Sequence, residues 1–219
     1  MVARVDSGAG CAGFRYTMSF RASLEETMEQ LPVGEWVRQL TAIDREKFTV
    51  PRVLEFCQGH GVQAGTLEPY LHWDPCCYTR NLIHKCELFE IIAICWDMGQ
   101  VSRIHNHRDQ NCWMSVPIGK LKVQNFRVEA QDAGVHTCRL VPTDTYVMDA
   151  LHPAAVNPQE PVHQVLNLRE YKQRAVSLHI YSFPYDSCEV YSTDKGTYMD
   201  VPLYYTSEYG NLTGAIKSS

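Results

Sequence analysis

The chain has no long hydrophobic run. No apolar stretch approaches the ~18–20 residues that a membrane-spanning helix needs, so no such helix is expected. The first twenty residues carry no apolar h-region, and no secretory signal is expected there. Arginine-bearing and poor in acids, they leave a transit peptide as the secondary reading. An excess of positive charge is also missing. The formal net charge is −5, which argues against a nucleic-acid or anionic-membrane partner. There is no internal repeat, no low-complexity tract and no disulfide framework. The nine cysteines are odd in number, and the adjacent Cys76 and Cys77 lack zinc-type spacing. Reduced thiols in a cytoplasmic protein are expected, most of them acting as small buried hydrophobes. What is present is a chain of 219 residues, 45% hydrophobic and 21% charged, long enough for one well-buried core.

Helical signals fill the first third. Ser23 and Glu26 form a capping-box pattern ahead of Leu24, Met28 and Leu31, predicting a helix that Pro32 and Gly34 stop. A second helix is predicted from about Glu35 through Trp36, Val37 and Leu40. A third should begin at Thr49 with Pro51 in its first turn and end at Gly59 and Gly61. Leu67–Trp73 reads as a short helical turn. The remainder reads as strands. Phe89–Trp96 is an apolar, β-branched run, as in a strand covered on both faces. Residues 121–129, 141–148 and 174–182 carry strand patterns, and 149–162 reads as a long loop. In the last strand Ser177, His179 and Tyr181 share one face, with Val176, Leu178 and Ile180 on the other. Short strands after a helical prelude fit a mainly β barrel or jelly roll with an N-terminal helical annex. The division expected is an extension over 1–21 and one domain over 22–219, helical to about residue 75.

The chemistry concentrates between Gly99 and Gly119. His105 and His107 stand one residue apart, and in a strand residues two apart project to the same face. Two imidazoles so placed can share a metal ion. With five residues between Gly99 and His105 and six between Cys112 and Gly119, the segment resembles the first cupin motif, G-x5-H-x-H-x3-4-E-x6-G, with Cys112 in the glutamate position. The second cupin motif is approximated by Pro158, His163 and Asn167, with Glu160 where a glycine is usual. His163 is the favoured third ligand, and His152 in the same loop is its competitor. A lone histidine in a strand is ordinarily a satisfied or surface residue. The pair, the glycine frame and the downstream histidine together read as a metal site. Imidazole suits zinc, copper, iron and nickel alike. Three neutral rings leave the ion's charge uncompensated, which favours an anionic ligand such as a thiolate.

Several segments resemble the cysteine dioxygenase family. Tyr78-Thr79-Arg80-Asn81 is similar to its YTRN, Cys95-Trp96 to its CW, and His105-x-His107 with Cys112 to its altered cupin motif. Ser177-Leu178-His179-x-Tyr181-Ser182 followed by Pro184, Asp186 and Cys188 is similar to its SLHLYS and PPFDTC. The likeness runs in order over roughly residues 24–190. Departures are Asn106 for an aspartate, Pro161 for a glycine, and a longer loop before His163.

The resemblance implies that His105, His107 and His163 hold ferrous iron. It also implies that Arg80, supported by Tyr78, binds the substrate carboxylate, and that His179 and Tyr181 orient substrate and hydrogen-bond toward oxygen. Trp96 would wall the pocket or pack beside Tyr181. Cys112 would form a thioether with the Tyr181 ring. Cys188 would line the entrance or merely pack. The reaction implied is oxidation of L-cysteine to cysteine sulfinate with O2, by a monomer. The rivals are a dioxygenase for another small thiol such as 3-mercaptopropionate, and a non-redox cupin binding zinc or nickel.

Overall fold

A computed structural model of the chain describes residues 28–156 and 160–214. The extension expected over 1–21, the Ser23 and Glu26 box, and Pro158 lie outside these residues. The described end of the first expected helix is a strand, β1 (Glu29–Leu31). At Glu29–Leu31, pairing with a segment thirty residues away overrides the local helical spacing. Helix α1 (Val33–Thr41) starts at Val33, two residues before the expected Glu35, and turns Val33, Trp36 and Leu40 inward. The Trp36 indole N–H donates to the His60 carbonyl at 3.0 Å. Helix α2 (Val50–Gly59) has Pro51 in its first turn and buries Val53, Phe56 and Cys57. It runs directly into β2 (His60–Val62), the parallel partner of β1. A 3-10 segment, Ala64–Tyr70, replaces the short helix expected over Leu67–Trp73 and buries Leu67.

The strands follow as β3 (Thr79–Lys85), β4 (Phe89–Trp96), β5 (Ile104–His105), β6 (Cys112–Ile118), β7 (Leu121–Asp132) and β8 (Thr137–Met148). After them come β9 (Ala154–Ala155), β10 (Val162–Leu166), β11 (Ala175–Ser182), β12 (Ser187–Ser192), β13 (Thr197–Pro202), β14 (Ser207–Glu208) and β15 (Asn211–Leu212). One sheet has the order β15-β14-β3-β4-β11-β6-β9. A second, β10-β5-β12-β13-β8-β7, closes on itself. This is the β-barrel of the cupin type. No helix among the described residues is long and apolar enough to cross a membrane.

The open sheet lies between two apolar clusters, which is why β4 and β11 are buried along their whole length. Ile91, Ala93 and Cys95 of β4 face the helices with Trp36, Leu40 and Phe56. The alternate residues Ile92, Ile94 and Trp96 face the closed sheet and meet Leu121, Val123, Met148 and Val165. Each fully buried side chain of this size contributes ~1.5–3 kcal/mol before the entropy of ordering it. β11 splits the same way. Val176, Leu178 and Ile180 pack toward the helices, leaving Ser177, His179 and Tyr181 on the barrel face. The turn at Gly119 lets the chain re-enter the closed sheet. Its φ is +77°, and a Cβ there would stand 2.5 Å from the Arg174 carbonyl oxygen, so only glycine fits.

Candidate metal centre

Two register pairings bring the imidazoles together. His163 on β10 is the Cα partner of His105 on β5 across an antiparallel pair, and of Asn125 on its other side. Strand β5 ends at His105, so His107 does not lie on the same pleat as first expected. It sits in the turn beyond, where Arg108 and Asp109 have positive φ and the Gln110 N–H donates to the His107 carbonyl at 2.9 Å. That turn still returns its ring to the others. Ring centroids are 5.3 Å apart for His105 and His107, and 4.8 Å for each of these with His163. One ring nitrogen from each of the three lies within 4.8 Å of the others. His152 is elsewhere, exposed and bonded to Asp149 through Nδ1 at 2.7 Å. The competing third ligand is thereby set aside.

The three rings are poor places to store protons. Burial, then the Arg103 carbonyl and the Arg80 charge acting in opposite senses, leaves the His105 pKa lowered to about 4. Burial first, then neighbouring imidazoles, pushes His107 and His163 well below the usual histidine range. His107 and His163 are 1% and 0% exposed, yet among the described residues neither nitrogen of either ring has a hydrogen-bond partner. Buried polar atoms without partners are costly. A cation shared by neutral imidazoles removes that cost, so the residues fit a metal ion. His105 Nδ1 lies 2.8 Å from the Arg103 carbonyl; donation there leaves the Nε2 lone pair for a metal, the usual way a ligand's tautomer is fixed.

Beside the imidazoles runs a polar relay on the barrel face of β11. The Trp96 indole N–H donates to Ser177 Oγ at 2.9 Å. Ser177 Oγ and His179 Nε2 are 2.8 Å apart, and His179 Nδ1 and the Tyr181 hydroxyl 3.0 Å. Burial, then Arg80, lowers the His179 pKa to about 3, so this ring is neutral. Tyr181 is pushed well above the usual phenol range, first by burial. Trp96 does not line the cavity and, of the two expected placements, takes the one in the buried apolar cluster that also holds Tyr181. Its ring lies on Tyr78, centroids 4.6 Å apart, because its N–H is committed to Ser177. Cys112 on β6 is the Cα partner of Tyr181 on β11, and both are buried in one cluster.

Arg80 on β3 enters the same space. Its Nε and Nη2 are buried and have no hydrogen-bond partner. These are the two nitrogens of the side-on fork that a carboxylate accepts in bidentate fashion. Arg80 also lines a cavity of about 710 Å³, together with Tyr78, His105, Tyr185 and Cys188 among others. Cys188 is buried and lines this entrance.

Two features were not foreseen. Ser177 had been assigned only a face of its strand, although a hydroxyl two residues before a histidine is the signal that places it in the relay. Glu90, fully buried on β4, accepts from the Tyr205 hydroxyl at 2.5 Å. With 115 residues between the two, no local pattern marks that pair. Asn167, read as the partner of His163, is a clamp. Its amide nitrogen lies 3.0–3.2 Å from the carbonyls of Trp96, Asp97 and Gln173, fixing the chain between β10 and β11.

Barrel, triad of imidazoles and open cavity together define a metal-binding cupin. Residues 24–194 match the family described as cysteine dioxygenase type I, and the chain belongs to that family, whose members are dioxygenase enzymes. Relatives named cysteine dioxygenase type 1 include one from Danio rerio, 31% identical over 137 residues, 62% of this chain and 66% of that one. The Bos taurus protein is 26% identical over 169 residues, 77% of this chain and 82% of its own. The Homo sapiens protein is 29% identical over 145 residues, 66% and 70% of the two chains.

Proposed function

We propose that the protein oxidises the thiol of L-cysteine with O2 to cysteine sulfinate, RSH + O2 → RSO2H, using ferrous iron at His105, His107 and His163. Ferrous iron in that position supplies the one-electron chemistry that lets triplet dioxygen react with a closed-shell thiol. The other roles belong to the chain. Arg80 takes the substrate carboxylate on its Nε and Nη2, a charge-assisted pair in a site largely closed to water. Tyr78 walls the same pocket, its ring held by Trp96. The neutral His179, bonded at both nitrogens, fixes the Tyr181 hydroxyl. With the ring hydrogen on Nδ1, His179 accepts from Ser177 and donates to the Tyr181 oxygen, so the phenol proton is free to point at the reacting atoms. With it on Nε2 the relay runs in reverse and the phenol oxygen is the exposed acceptor. Cys112 is joined to the Tyr181 ring by a thioether, which removes an oxidisable thiol from beside the metal and narrows the range of the hydroxyl.

The observation that carries this reading is a group of three imidazoles, two of them (His107 and His163) without partners among the described residues, whose third member His105 lines the same cavity as Arg80 with its partnerless guanidinium fork. It supports a small thiol that also bears a carboxylate. The test is oxygen uptake by protein loaded with ferrous iron, with cysteine and with 3-mercaptopropionate, and identification of the product by mass. Cysteine sulfinate formed one-for-one with oxygen supports the reading. Preference for 3-mercaptopropionate changes the substrate, and stoichiometric zinc without oxygen uptake overturns the chemistry.

A further inference from the structure

The cavity leading to Arg80 and His105 is larger than a single small amino acid requires, about 710 Å³, within the ~300–1,000 Å³ range of sites that take drug-sized ligands. Its wall has an uneven charge. The chain carries a net −5, yet the lining includes three arginines, Arg80, Arg103 and Arg169, and no aspartate or glutamate. Arg80 lies inward, at the imidazoles. Arg103 and Arg169 are exposed and belong to the outer part. Neither outer guanidinium makes an ion pair or side-chain hydrogen bond among the described residues, whereas Arg174 nearby is paired with Asp97 at 3.1 Å.

The placement of Arg169 is built into the fold. Its side chain lies across Gly99, where a Cβ would stand 2.8 Å from Nε and 2.9 Å from Cγ. Gly99 has φ +86°, and its N–H donates to the Asn167 carbonyl at 2.8 Å. The Arg103 backbone is anchored from within, its carbonyl 2.8 Å from His105 Nδ1. Two unpaired cations on a concave, acid-free wall focus field toward an anion.

We infer that the outer chamber is a second anion subsite, in which Arg103 and Arg169 take a second carboxylate of a thiol ligand whose first carboxylate is on Arg80. The inference rests on the inner site as read above and names the ligand class: small thiols with two carboxylates several bonds apart, such as a cysteine extended at nitrogen by an acidic acyl chain. A monocarboxylate thiol fills only the inner half.

The experiment compares N-succinylcysteine with N-butyrylcysteine, alike in length and different by one carboxylate, by calorimetry on full-length metal-free protein. The succinyl compound binds more tightly by roughly 5- to 10-fold, as two partly exposed charge contacts allow. The preference shrinks with added salt, is lost in R103Q/R169Q and is partly restored in R103K/R169K. Equal affinities in the unaltered protein, no measurable binding of the succinyl compound, or a preference that survives R103Q/R169Q would overturn it. Oxygen uptake with cysteine is measured in parallel. If that fails while the succinyl preference holds, the subsite stands and the dioxygenase reading falls.

Discussion

Cys112 on β6 lies directly across from Tyr181 on β11, their Cα atoms register partners in an antiparallel pair. Such partners hold their Cβ atoms about 4.5–5.5 Å apart on one face of the sheet, so a thioether between them asks for no change of backbone. Burial raises the Cys112 thiol far above its ordinary value. The free thiol is therefore not a ready thiolate ligand.

After aerobic turnover with cysteine, intact mass should fall by one pair of hydrogens, mapping to a peptide that joins Cys112 and Tyr181. Cys112→Ser should show no such loss, keep its iron and turn over more slowly by a modest factor. Loss of iron in that variant would make Cys112 a ligand instead.

Arg80→Gln removes the fork that the cavity presents to a carboxylate. Hydrogen bonds to charged groups contribute ~1.5–3 kcal/mol, so cysteine binding to the iron-loaded protein under nitrogen should weaken roughly 10- to 100-fold. Cysteamine, which keeps the thiol and amine and lacks the carboxylate, should be affected far less. Equal loss for both ligands would show a general collapse of the cavity.

Ser177→Ala leaves His179 Nε2 and the Trp96 indole without their shared oxygen. The imidazole then loses one of the two bonds that orient it. We expect kcat to fall about tenfold, in line with the loss of an orienting partner, with KM little changed and iron content intact. A change confined to KM would place Ser177 in substrate binding.

Among the described residues the Tyr205 hydroxyl is the hydrogen-bond partner of the buried Glu90 carboxylate; Lys85 Nζ stands 3.7 Å away, and Glu90 Oε1 has no partner there. Tyr205→Phe should cost about 1–3 kcal/mol in urea unfolding, the desolvation penalty of an unsatisfied buried group. Adding Glu90→Leu should recover much of it, because removing both partners leaves nothing unpaired. If Tyr205→Phe alone is neutral, the bond carries no stability.

Much of this was written locally. β4 and β11 were legible because an uninterrupted apolar run and a strict alternation can only be strands buried on one or both faces. His105 and His107 were legible by spacing, and His163 through Asn167. What escaped was set by contacts distant in sequence. β1 takes its form from pairing with β2, so the helical spacing misleads at Glu29–Leu31. His107 reaches the centre through a turn of positive φ, not along a strand. The bond from Trp96 to Ser177, 81 residues on, was not foreseen. Glu90 was not singled out, because its partner Tyr205 lies 115 positions further along the chain.

Metal stoichiometry tests the central claim most directly. Purified apoprotein titrated with ferrous iron under nitrogen should take up one ion per chain. His107→Ala and His163→Ala should each abolish that uptake, while His152→Ala should leave it unchanged. Full iron binding by His163→Ala, or its loss in His152→Ala, would contradict the account.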